Sequence, residues 1–144
     1  MKISKGSENS AAYDIHSAQD FKLELIGTIK TGIYCGKDLI IPKNYFGLIS
    51  SRSGLAQAGI MVANNGGIID SDYRGELKII LMNINNIDSP NKLFPYQINK
   101  GDRIAQIVFL PYLSLNENLR ILGKSEEQLV RNKERKGGFG STGK

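Results

Sequence analysis

The stretch Gly66-Gly67-Ile68-Ile69-Asp70-Ser71-Asp72-Tyr73-Arg74-Gly75-Glu76 carries more reactive groups than an ordinary turn needs. Two glycines lead into two β-branched residues, then a carboxylate, then a turn with a tyrosine and an arginine. Asp70 follows an apolar pair, so it is expected at the edge of a buried sheet rather than in open water. Tyr73, three residues on, is folded back toward the same place by a tight turn. The competing reading of this stretch is a β-hairpin with a polar turn.

Three further groups could hold an anion. Arg52 offers a planar fork of donors and Ser53 a hydroxyl, at the expected start of a short helix with free N–H groups. In Gly101-Asp102-Arg103-Ile104-Ala105-Gln106, Asp102 and Arg103 can pair across a turn, a structural role, whereas Gln106 inside an apolar strand needs partners for its amide. The tail ends Gly137-Gly138-Phe139-Gly140-Ser141-Thr142-Gly143-Lys144. Its glycine-rich backbone can wrap a polyphosphate, and Phe139 can stack on a flat ligand; a disordered tail is the other reading. Gly138 to Lys144 fits the start of a Walker phosphate loop, but no strand precedes it and the required Ser/Thr is missing, which argues against that fold. Separate anion-binding turns, one poised carboxylate, a tyrosine and a glycine-phenylalanine arm suit a nucleoside polyphosphate.

Composition narrows the frame. The chain has 144 residues, 40% hydrophobic and 23% charged, enough for one domain with a real core. No run approaches the roughly 18 apolar residues of a membrane span, and the opening residues lack a secretory signal, so the expectation is an intracellular protein, cytoplasmic or nuclear and not secreted. One cysteine, Cys35, excludes an internal disulfide, and with one histidine, His16, cannot make a structural zinc site. A metal here would be an oxygen-bound ion such as Mg²⁺, held largely by substrate phosphates. The net charge of +5 points to an anionic ligand, but the basic residues are dispersed and form no dedicated nucleic-acid surface.

The elements that must position these groups are strands. Phe21 to Leu25 alternates at period two, short strands surround Ile29 and Ile33 to Cys35 between glycine turns, and Leu39 to Pro42 and Tyr45 to Ile49 give two more. Ser53 is expected to cap a helix through Gln57 with Gly59 as its stop. Ile60 to Val62 resumes strand. Leu77 to Ile84 reads as a strand covered on both faces. Asn85 to Asn91 forms a turn, and Phe94 to Ile98 and Arg103 to Leu110 are strands around the Lys100-Gly101-Asp102 turn. Many short strands with glycine turns argue for an all-β sandwich or barrel-like jelly roll over residues 1 to 122, followed by a polar tail, 123 to 144.

The chain resembles the trimeric dUTP nucleotidohydrolases (dUTPases) in five blocks in that family's order. They are Ala12-Tyr13-Asp14-Ile15, Arg52-Ser53-Gly54-Leu55-Ala56, Gly67 through Gly75, Gly101 through Gln106, and Gly137 through Gly143. The resemblance implies an all-β, dUTPase-like jelly roll or distorted β-barrel with one short helix and a flexible C-terminal arm. It implies a homotrimer with three shared sites, the arm closing over a neighbouring subunit's site, and Mg²⁺-dependent hydrolysis of dUTP to dUMP and pyrophosphate. That reaction would limit uracil incorporation into DNA and supply dUMP for thymidylate synthesis. Asp70 would activate the attacking water and Tyr73 would lie under the deoxyribose. Asn64 and the backbone around Ile68-Ile69 would read the uracil, and Phe139 would cover it. Arg52, Ser53, Gly54 and Gln106 would hold phosphates; Gly67, Lys78, Arg135 and Gly140 complete the substrate-binding set. Asp14 would reach the metal through water. Arg74 is expected to pair with acidic neighbours or support a subunit interface.

Two departures stand out. Ser51 occupies a place where the family often has proline. Glu134 stands where the arm's usual arginine would be, with Arg135 one residue late; Lys133 and Lys136 lack arginine's bidentate geometry. The alternatives are a non-catalytic dUTP-binding or interaction module of the same fold and a dCTP deaminase, which lacks such an arm.

Overall fold

In a computed structural model of the chain, residues 3–85 and 94–113 are described. The arm residues Glu134, Arg135, Phe139 and Gly140, the boundary at residue 122 and most of the Asn85 to Asn91 turn lie outside them. Strands dominate: β1 (Ile3–Lys5), β2 (Tyr13–His16), β3 (Phe21–Leu23), β4 (Ile26–Tyr34), β5 (Tyr45–Ser50), β6 (Ile60–Val62), β7 (Gly67–Ile69), β8 (Glu76–Asn83), β9 (Tyr96–Ile98) and β10 (Arg103–Pro111). Among the described residues one helix, α1 (Ser53–Gln57), interrupts them. They form a five-stranded sheet in the order β1-β2-β10-β5-β7, a three-stranded sheet β4-β8-β6 and the pair β3-β9, all antiparallel. The all-β expectation holds, and among the described residues the sheets do not close into a barrel. Among the described residues no helix is long and apolar enough to cross a membrane.

The inward positions of the strands make one core. Ile15, Leu23, Ile29, Ile60, Leu81 and Ile107 are completely buried, and each such side chain contributes about 1.5–3 kcal/mol relative to exposure. Alternation placed most of these, but not all of their strands. The Phe21 to Leu25 pattern stops at Leu23, and Leu25 is 64% exposed, because the chain turns there into β4. The expected short pieces around Ile29 and Ile33 are one nine-residue strand, with Gly27 and Gly32 inside it. Gly27 makes no turn; a Cβ there would meet Phe21 Cε1 at 2.5 Å, so the glycine lets a ring pack on backbone. Gly32 lies at a register shift, where the Thr31 hydroxyl donates to Leu77 O at 2.7 Å and the Glu76 carboxylate accepts from Gly32 N at 3.2 Å. These side chains replace the lost ladder bonds, so the strand continues.

Leu39 to Pro42 is not a strand. It keeps one bridge, Cys35 to Leu39, and splits its apolar residues between a buried Ile41 and a 74% exposed Ile40. β8 is fully covered on one face only: Leu77, Ile79 and Leu81 are buried, whereas Ile80 and Met82 are half-buried and Lys78 is exposed. β7 and β8, moreover, are not the arms of a hairpin. β7 pairs with β5 in one sheet and β8 with β4 and β6 in another, so the Gly66 to Glu76 stretch crosses between sheets.

Candidate active site

Two groups of functional side chains form at opposite ends of β5. At its C-terminal end, Asp14 on β2, Gln106 on β10 and Ser50 on β5 stand in one row of the sheet. Just past that row, Arg52 Nε donates to Asp14 Oδ1 at 2.7 Å, and Arg103 Nη1 donates to Asp14 Oδ2 at 3.3 Å. The Asp14 side chain is 13% exposed and Arg52 22%, so this short charge-assisted bond is shielded, while Arg103, at 53%, reaches into solvent. Arg52 Nη1 also donates to the Arg103 carbonyl at 3.4 Å. A cleft of about 260 Å³ opens here, lined by Arg52, Leu55, Tyr96, Asp102 and Arg103 among others. Asp14 draws the two guanidinium groups together at the edge of that cleft, which Asp102 also lines. What the cleft offers an anion is a pair of directed arginine donors rather than an excess of positive charge.

Neighbouring residues have more defined roles than expected. Arg52, not Ser53, precedes the first turn of α1; its backbone is extended (φ −84°, ψ 137°) and no side chain caps the helix. Arginine is no N-cap residue, and this one is already committed to Asp14, so the Ser53 hydroxyl is left exposed inside the first turn. Gly59, at φ +79°, stops the helix as expected. A Cβ on Gly54 would meet nothing within 4 Å, so no contact among the described residues requires glycine there. Gln106 Nε2 donates to the Ser51 carbonyl at 3.1 Å, the partner its half-buried amide needed. Ser51 Oγ accepts from Val62 N at 2.9 Å, a bond that a proline side chain could not make. Asp102 is structural, as read from the sequence, but its carboxylate accepts from Asn99 N at 2.8 Å rather than from Arg103.

The second group lies toward the other end of β5. A cleft of about 230 Å³ is lined by Ile68, Ile69, Asp70, Tyr73, Glu76, Leu77 and Lys78. Asp70 is exposed, because β7 is a three-residue strand at the edge of its sheet, with no further strand paired to it among the described residues. The Asp70 carbonyl accepts from Tyr73 N at 3.2 Å, the turn that folds the tyrosine back. Tyr73 Oη donates to the Glu76 carbonyl at 3.0 Å, and the ring covers Gly75, where a Cβ would collide with it. The hydroxyl is thus tied down while the 42% exposed ring offers a flat face. Gly67 leaves room for Asn64: a Cβ there would sit 3.0 Å from Asn64 Nδ2. Arg74 pairs with main chain rather than with carboxylates, its Nη1 donating to Ser71 O at 2.9 Å and Tyr73 O at 2.8 Å.

Within one chain the two groups are far apart. Gly47 pairs with Ile69, which places Asp70 beside Phe46, six positions before Arg52. At a rise of roughly 3.3 Å per residue this is about 20 Å along the strand. Asp14, Arg52, Ser53, Gly54 and Gln106 therefore gather at one end, and Asn64 lies in the turn at that end too, since Gly66 N donates to Ile49 O. Asp70, Tyr73, Ile68, Ile69 and Lys78 gather at the other. Arg103 is the residue that sequence reasoning passed over. Its neighbour Asp102 offered a ready partner, and only the β2–β10 register brings Asp14 within its reach. No three His, Cys, Asp or Glu side chains form a metal cage among the described residues.

The matches to known proteins run the length of the chain. The dUTPase family model matches residues 2–143. A deoxyuridine 5'-triphosphate nucleotidohydrolase of Dictyoglomus turgidum is 39% identical over 140 residues, 95% of this chain and 86% of that protein. Among solved structures, a variant of the Staphylococcus bacteriophage 80alpha dUTPase with dUpNHpp has a TM-score of 0.70 at 28% identity, covering 100% of this chain and 92% of that one. A variant of the dUTPase from phage phi11 of S. aureus, described for its structural Mg(II) ion, has a TM-score of 0.66 at 28% identity over 86% of this chain and 90% of that one. With these matches across both groups of side chains, the chain belongs to the dUTPase family.

Proposed function

We propose that this chain hydrolyses dUTP to dUMP and pyrophosphate as a homotrimer, at sites that join the Asp70 end of one subunit to the Arg52 end of another. The observation that carries this reading is the cleft in which Asp70 and the flat face of Tyr73 meet the β7 backbone. The distance to the phosphate-type donors along β5 supports sharing, since no single chain brings the two halves together. The uracil lies against the Ile68-Ile69 backbone near Gly67, and Asn64 and Phe139 complete its recognition in the assembly. The deoxyribose lies on Tyr73, whose ring leaves no space for a 2′-hydroxyl. Arg52, Ser53, Gly54 and Gln106, with Arg103, receive the phosphates, and Lys78, Arg135 and Gly140 add donors. Asp70 orients a water and takes its proton as the oxygen attacks the α-phosphorus; the bond to the bridging oxygen breaks and pyrophosphate leaves. A positioned base contributes about 10²–10⁴-fold, and in-line placement with charge stabilisation contributes the larger share.

The residues fit Mg²⁺ carried in on the substrate. Each Asp14 oxygen accepts from one arginine, which leaves lone pairs for metal-bound water and agrees with an ion held mainly by phosphate oxygens. When bound, Mg²⁺ would neutralise charge building on the phosphates. The test is pyrophosphate release across dUTP, dTTP, dCTP and UTP, with and without Mg²⁺. We expect activity confined to dUTP, and Asp70→Asn to keep assembly and dUTP binding while losing nearly all turnover. Unchanged release in Asp70→Asn removes the base from this scheme, and ammonia release from dCTP replaces the reaction with a deamination.

A further inference from the structure

His16, the single histidine, ends β2 two residues past Asp14 and takes no part in the scheme above. We propose that His16 is a positioning residue for Arg103, acting through the turn of residues 99–102. This rests on the reading that Arg52 and Arg103 receive the nucleotide's phosphates. The imidazole bridges two elements: Nδ1 lies 2.8 Å from the Gly101 carbonyl oxygen, and Nε2 lies 2.8 Å from Ser4 Oγ on β1. A carbonyl only accepts, so Nδ1 carries the proton and donates to Gly101. Ser4 meets the opposite edge of the ring and fixes its orientation.

The turn needs such a hold. Gly101, at φ +93°, has no side chain, and nothing lies within 4 Å of where a Cβ would be. Its N–H donates to Ser17 O at 2.8 Å, Ser17 N donates to Asp102 O at 2.8 Å, and Lys100 N donates to Asp20 Oδ1 at 2.7 Å. The peptide plane that carries the Gly101 carbonyl is held at its other end by Asp102 N, which donates to Asn99 O at 3.0 Å; the imidazole holds the carbonyl end of that same plane. Arg103 follows two residues later, directly opposite His16 in the ladder and just before the register shift at Ala105. A bulge re-aims the side chains around it. Here Arg103 is aimed at Asp14 Oδ2, 3.3 Å away, in the same cluster that binds Arg52. Tilting the Gly101 peptide would swing the start of β10, and with it the guanidinium, off the phosphate path.

The two amide replacements of histidine separate positioning from mere filling. His16→Asn keeps an amide donor near the place of Nδ1; His16→Gln places its amide near Nε2 and leaves the Gly101 carbonyl without its partner. Measured as kcat and KM for dUTP beside the thermal midpoint, His16→Gln is expected to raise KM roughly fivefold to tenfold with kcat little changed. His16→Asn is expected to restore KM to within about twofold of wild type, the scatter of a single weakened bond. An unmoved KM in His16→Gln, an equal rise in both variants, or a loss that follows the thermal midpoint would each overturn the assignment. Should His16→Gln fail to fold, His16→Leu takes its place: it fills the ring's space without an Nδ1–H, and an unmoved KM there also overturns the assignment. A wild-type chain inactive on dUTP defeats the proposed function and this inference with it. Normal wild-type turnover with an unmoved KM in the variant defeats this inference alone.

Discussion

Asp14 shows how much one carboxylate can organise. It accepts from Arg52 and Arg103 at once, so the two cations are held side by side instead of repelling each other apart. Arg52→Lys keeps the charge but cannot donate to Asp14 and to the Arg103 carbonyl together. We expect KM for dUTP to rise about tenfold or more in that variant, one lost charge-assisted contact or somewhat beyond, with pyrophosphate release giving the number. The sequence marked Arg52 as a donor for an anion beside Ser53 and a helix start, but neither its bond to Asp14 nor that of Arg103 was legible, because the partners are 38 and 89 positions away. Cys35 gives a second prediction. Burial pushes its thiol above the ordinary range, and the Arg74 guanidinium opposes this in part. The folded chain therefore holds that proton more tightly than the unfolded one. Its contribution to stability is complete below the pH at which a free thiol ionises, about 8.5, and declines as pH rises from there toward the raised folded value. Urea midpoints measured upward through that window should fall more steeply for wild type than for Cys35→Ser.

Among the elements, β5 is central. It pairs with β10 on one side and β7 on the other, and its last residue leads into Ser51 and Arg52. Gly47 lies in its buried row, where a Cβ would come 2.7 Å from Ile107 Cδ1 and 3.4 Å from Ile41 Cδ1. Ile107 is completely buried and has no room to yield. Gly47→Ala should therefore destabilise the fold by about 1–3 kcal/mol, as overpacking does, read as a lower urea midpoint with an unchanged slope. Strands whose alternation faced a core on one side, β5, β6 and β10, were legible from sequence. Pairing partners were not. The two apolar runs flanking Asp70 have the form of a hairpin, and only the competition of β5 for β7, and of β4 and β6 for β8, draws them into separate sheets. The Leu39 to Pro42 run failed for a related reason: hydrophobicity says that residues seek cover, not that a neighbouring strand is there to supply hydrogen bonds.

For the whole molecule, the two half-sites at the ends of β5 predict complementation between dead subunits. Asp70→Asn and Arg52→Ala chains, each inactive alone, should regain activity when unfolded together and refolded as a mixture. In a random 1:1 mixture about a quarter of the shared sites take a sound half from each parent. Pyrophosphate release from the mixture above the sum of the separate variants measures this; none at all would mean that each chain works alone. The length of β5 has one more consequence. On the proposed shared site, a separation of about 20 Å between Asp70 and Arg52 makes turnover a matter of mass action. Dilution below the assembly constant should silence the enzyme with its strands intact, so specific activity should climb with protein concentration while circular dichroism stays flat.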